Sequence, residues 1–112
     1  MRSPDGRREC STFTRDRRIR LSGRRTSTLY LLNPRQRNVE RVEVDGCAIT
    51  EGPRCDWLVL LTDVTPREEV YVELKGSDIF HAVVQLRAAI IQLSADHARL
   101  RKRCYAFSGT IP

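Results

Sequence analysis

No apolar run in this 112-residue chain exceeds a few positions. A membrane-crossing helix needs about 20, so no segment of the sequence is read as one. The N-terminus is basic but has no apolar core segment behind it, which excludes a secretory leader. None of the four cysteines (Cys10, Cys47, Cys55, Cys104) forms a CxxC pair, and no histidine stands at finger-like spacing from them. A zinc finger is therefore excluded. Cys47, Cys55 and Cys104 sit in β-like, partly apolar text and read as reduced, buried or half-buried thiols of a cytoplasmic protein. A Cys47–Cys55 bridge across a hairpin is the alternative. No internal repeat is present.

Charge is abundant but unevenly placed. The formal net charge is +6. Residues 1–25 hold nine arginines against Asp5, Glu9 and Asp16, whereas residues 26–112 hold eleven basic and eleven acidic residues. The globular part is thus neutral, and the excess sits in an N-terminal arm. Low apolar content predicts that residues 1–26 are disordered, with 27–112 forming one domain. Such an arm suits polyanion binding.

Patterning gives the element order. TLYLLNP (28–34) is a short apolar stretch ended by Asn-Pro, a strand or a single helical turn. NVERVEVDG (38–46) alternates, with Val39 and Arg41 on one side and Glu40, Val42 and Val44 on the other, and closes in an Asp-Gly turn. CAIT continues as a strand edge, and EGPR (51–54) is a second turn. CDWLVLLTD (55–63) is nearly all apolar, as a central strand covered on both faces would be. VYVELK (70–75) is the next strand. Gly76 breaks it, and Ser77 or Asp78 caps a helix. Apolar residues at 79, 83, 86, 90, 93 and 100 carry that helix to about Arg101, where Arg-Lys-Arg suits the negative end of its dipole. CYAFSG (104–109) is a last strand. The fold class is α/β with a mixed sheet, in the order β-β-β-α-β.

VYVELK raises a question of cost. Side chains alternate along a strand, so Tyr71, Glu73 and Lys75 share one face. A symmetric hairpin about Thr65-Pro66 sets Asp56 opposite Lys75 and diagonal to Glu73. Two carboxylates and an ammonium then converge at one end of an apolar sheet. Buried charges cost several kcal/mol (about that order) unless they are paired or bind an ion. The plain interpretation is an Asp56–Lys75 salt bridge, with Glu73 on a solvated rim.

Asp56, sixteen intervening residues, then Glu73-Leu74-Lys75 before a helix resembles the PD-(D/E)XK nuclease superfamily, in a small bacterial subgroup. The likeness covers roughly residues 38–112 and implies a restriction-endonuclease-like core. It implies Mg²⁺ or Mn²⁺ held by Asp56, Glu73 and the Leu74 carbonyl, with Lys75 orienting a water or stabilising charge at the phosphate. The implied activity is hydrolysis of phosphodiester bonds in nucleic acid, DNA foremost. Gln85 matches a helix glutamine that supports the lysine in some branches. Ala89 stands where those branches have tyrosine, so half of that motif is absent. Ser77 and His81 lie near the site in sequence; the default role of Ser77 is a helix cap, and that of His81 polar surface. Asp45, whose default role is turn chemistry, or Glu43 is a candidate further acid.

Two other classes compete with the nuclease. One is a non-catalytic nucleic-acid-binding or interaction module on the same fold, with the arginine arm as its contact and a steep salt dependence. The other is a subunit docked through the helix face. Association of two copies is open to either.

Overall fold

The computed structural model describes residues 9–22, 28–64, 67–74, 79–94 and 101–106. Among the described residues seven strands and one helix follow in chain order: β1 (Ser11–Thr14), β2 (Arg18–Ser22), β3 (Thr28–Leu32), β4 (Val39–Glu43), β5 (Trp57–Leu61), β6 (Glu68–Glu73), α1 (Ile79–Leu93) and β7 (Arg101–Ala106). Five strands form one sheet in the order β1-β4-β5-β6-β7. Only β6 and β7 pair in parallel, as a connection through a helix allows. The fold is thus mixed α and β around a mixed sheet.

The alternation within β4 and the continuous apolar text of β5 have one cause, because both faces of the sheet are covered. On one face Val42, Leu58, Leu60 and Tyr71 pack with Leu86, Ala89 and Leu93 of α1. On the other, Val39, Val59, Val70 and Val72 pack with Ile19 and Leu21 of β2. Strands β2 and β3 form a separate antiparallel hairpin that makes this third layer.

Several expectations are corrected. Residues 9–22 of the expected arm are ordered: β1 pairs with β4 in the main sheet, and β2 buries Ile19 and Leu21 at 3% and 0% exposure. The reason is RIRLS itself, whose two apolar residues alternate with polar ones and dock as one face. Residues 1–8 and 23–26 lie outside the described residues. The stretch after Val44 is a turn rather than a strand edge, with Gly46 at φ 82° and one isolated bridge between Asp45 and Ile49. Helix α1 ends at Leu93, and Arg101-Lys102-Arg103 open strand β7. There Arg101 and Arg103 approach Glu68 at 3.4 and 3.9 Å. Charged side chains are what an edge strand uses to resist pairing with another chain.

The cysteines also differ from expectation. Cys10 and Cys47 form a disulfide that ties the residue before β1 to the turn after β4. Cys47 is therefore neither reduced nor bridged to Cys55. Cys55 is a free, buried thiol, and Cys104 is free and exposed on the edge strand rather than half-buried. The reduced-cysteine reading was the ground for a cytoplasmic location, and the bridge removes that ground. Among the described residues no helix is long and apolar enough to cross a membrane.

Candidate active site

Strands β5 and β6 bring Asp56 and Glu73 together, in a different register from the symmetric hairpin. Trp57 pairs with Val72 and Leu58 with Tyr71, so the turn is centred between Val64 and Thr65. That is a shift of two residues, and a two-residue shift preserves faces where a one-residue slip would invert them. Asp56 consequently lies beside Val72–Leu74 rather than opposite Lys75. Its N–H donates to the Val72 carbonyl at 3.1 Å, and its Oδ2 accepts from the Leu74 N–H at 2.7 Å. Asp56 thus grips the β6 backbone on both sides of Glu73. Glu73 is 1% exposed and pairs across to Ala106 of β7, so it sits in an interior strand. Asp56 is half-buried.

The Cys55 thiol reports the field at this end of the sheet. Burial pushes its pKa up to about 12, and the nearby charges of Glu73 and then Asp56 push in the same direction. A neutral thiol therefore backs the two carboxylates.

Helix α1 adds Gln85. The connection 74–78 joins the end of β6 to the start of the helix, and Ser94 Oγ donates to Glu69 Oε1 at 2.6 Å near the helix's other end. From Ser94 back to Gln85 is about 13.5 Å at 1.5 Å per residue. From Glu69 forward to Glu73 is about 13 Å along the strand. Gln85 therefore comes level with Glu73. It lies on the helix's buried stripe with Ala82, Leu86 and Ala89, is 9% exposed, and its Oε1 meets no partner among the described residues. The same arithmetic sets Ala89 level with Tyr71. Ala89 and Tyr71 belong to the same buried core.

The other sequence candidates lie elsewhere or outside the described residues. Asp45 binds Arg54 Nε at 2.7 Å, in keeping with its turn role. Glu43 and His81 are exposed. Lys75 and Ser77 lie outside the described residues. Two buried acids, Glu40 and Glu69, were not singled out from sequence. Glu69, 1% exposed, accepts from Tyr71 O–H at 3.1 Å as well as from Ser94. Burial, and next the charge of Glu69, push the Tyr71 pKa up. Strand parity was the available signal, because it places Glu69, Tyr71 and Glu73 on one face.

The donor set can be weighed against a cation. Among the described residues no group of three or more His, Cys, Asp or Glu gathers to hold a metal. That argues against a closed zinc site, which takes four such ligands. Mg²⁺ needs no such group, being held by one or two carboxylates and several waters. Asp56 has Oδ1 left once Oδ2 is taken by Leu74, and Glu73 supplies the second carboxylate. Carboxylate oxygens are the donor type a hard divalent cation takes. No family model, curated protein or solved structure matched the chain.

Proposed function

We propose that the chain is a metal-dependent nuclease of the PD-(D/E)XK type, acting on nucleic acid, DNA foremost. The observation that carries this reading is the grip of Asp56 on the backbone either side of buried Glu73. Two carboxylates at one strand end are the oxygen donors that a hard divalent cation takes. Mg²⁺ there would polarise a phosphate oxygen and acidify a water.

The chain's own residues divide the remaining work. Asp56 and Glu73 would hold the cation, and the Leu74 amide fixes the Asp56 carboxylate so that it does not swing away. Lys75, two residues beyond Glu73, is assigned by the resemblance to orient the attacking water and stabilise charge at the phosphate. Gln85 supplies an amide level with Glu73, available to hold Lys75 or a water. Substrate reaches the pair from the half-buried Asp56 side, since Glu73 is enclosed.

The test is cleavage of labelled single- and double-stranded DNA with Mg²⁺ or Mn²⁺, alongside calorimetric metal titration. Glu73→Gln and Asp56→Asn should each lose roughly a hundredfold or more in rate, the scale of losing one preorganised charge contact. Lys75→Ala should lose rate and keep metal binding. Metal-independent cleavage, or equal activity of all three variants, would sink the nuclease reading. DNA binding without cleavage by the wild type would favour the non-catalytic module.

A further inference from the structure

Two exposed features meet at one border of the molecule. Strand β7 ends the sheet, and among the described residues no strand pairs with its outer side. Beside it runs an apolar groove of about 440 Å³, lined by Val83, Leu86, Arg87, Ile90 and Ile91 of α1 and by Cys104 of β7. Val83 and Ile91 are 55% and 60% exposed, and Cys104 is exposed as well. Docking α1 on its own sheet uses the stripe Ala82, Leu86, Ala89 and Leu93, so it does not call for apolar residues at 83 and 91. A contiguous apolar strip left open to water marks a contact surface.

The charges of β7 specify what fits there. A twofold axis perpendicular to the sheet sets β7 antiparallel to the β7 of a second copy and keeps each face of the sheet continuous, so opposite residues share a face. Only two such registers pair all but one residue of β7, one centred on Arg103 and the other on Cys104. The first sets Arg103 against itself, and like charges directly opposite are destabilising. The second sets Cys104 against itself, Arg103 opposite Tyr105 and Lys102 opposite Ala106. No cation of β7 then faces a cation, and each copy's Arg103 lies across from an aromatic ring. Edge charges that resist pairing in general thus leave one register open.

The helix agrees with that register. Ala89 is level with Tyr71, and Tyr71 pairs with Cys104. Ile90 and Ile91 therefore lie near the level of the axis. The same axis sets α1 antiparallel to its copy, groove beside groove. Arg87, three residues from Ile90, is about 4.5 Å from that level. The two copies of Arg87 are then about twice that distance apart along the helices, with room for both charged heads to stay in water.

We propose that the β7 edge and the groove beside it form the interface of a twofold homodimer, with Cys104 on the axis and one sheet running through both copies. The interface stands whether or not the chain cleaves nucleic acid.

Mass is measured by analytical ultracentrifugation of the full chain at micromolar concentrations, without reductant so that the Cys10–Cys47 bridge is kept. The wild type and Cys104→Ser should both sediment at twice the chain mass, since association needs no covalent link. Ile91→Glu should weaken association at least tenfold with an unchanged circular-dichroism spectrum, because Ile91 is exposed in the single chain. Mild oxidation with copper–phenanthroline should link two wild-type chains through Cys104. Opposite residues of antiparallel strands have Cα atoms about 4.5–5.5 Å apart, and a disulfide spans about 4.4–6.8 Å. Arg103→Cys in the Cys104→Ser background should not link, since the two copies of position 103 are then diagonal, at about 7–8 Å. A monomeric wild type, a dimer that Cys104→Ser abolishes, association that Ile91→Glu leaves intact, or linking at position 103 would overturn the interface.

Discussion

Glu73 and Asp56 share the end of one strand pair, and a cation held there would bind both. Glu73→Gln should lose the upward melting shift that Mg²⁺ gives the wild type, since only the folded site binds the ion. A thermal melt with and without Mg²⁺ reads the effect. Cys55 makes a separate prediction. Its folded pKa of about 12 lies above the unfolded value of 9.0. The thiol is neutral in both states below the lower value, so its contribution is fully present there. As pH climbs between the two values the unfolded chain releases the proton and the folded chain keeps it, so stability falls. Tyr71 pulls the same way. Denaturant midpoints should drop on moving from about pH 8 to about pH 10.5, and Cys55→Ala should make the drop shallower. That the two acids share a face was legible from period two. Which β6 residues Asp56 would touch was not, because the register depends on where the turn is centred, and Pro66 drew the expected centre one residue too far along the chain.

At the scale of elements, the hairpin was the least legible piece. RIRLS contains the alternation of a docked strand, but only Ile19 and Leu21 carry it, and the surrounding arginines gave the whole stretch the composition of a disordered arm. Burial decides the matter, for Leu21 is 0% exposed against the valines of the sheet. Leu21→Ala should cost about 2–5 kcal/mol in a denaturant melt, the range for a buried leucine. A surface arm would give almost nothing. Strands β4 to β6 were legible because alternation, Asp-Gly and Gly76 punctuate them. The helix start was legible for the same reason. Its end was not, since Leu100 continued the apolar series across a seven-residue gap after Leu93, and the basic triplet looked like a dipole cap. In the structure the two arginines of that triplet, Arg101 and Arg103, approach Glu68 across the β6–β7 pair.

At the scale of the molecule, three layers share one sheet, and the two outer layers come from opposite ends of the chain. The N-terminal side supplies the hairpin and edge strand β1, and the C-terminal side supplies α1 and the other edge, β7. The Cys10–Cys47 bridge secures the first of these with a sequence separation of 37. By loop-closure entropy a loop of that length contributes about 3–4 kcal/mol. Cys10→Ser should show a loss of that order in denaturant melts, and reductant should lower the wild type to match. The bridge also encloses β1, β2, β3 and β4 within one covalent ring. A protease that cuts the backbone once anywhere inside the ring would leave a species of unchanged mass apart from one added water, running as a single band on a non-reducing gel. Such a nick would become visible only when thiol reagent is added, so intactness of this protein has to be judged under reduction.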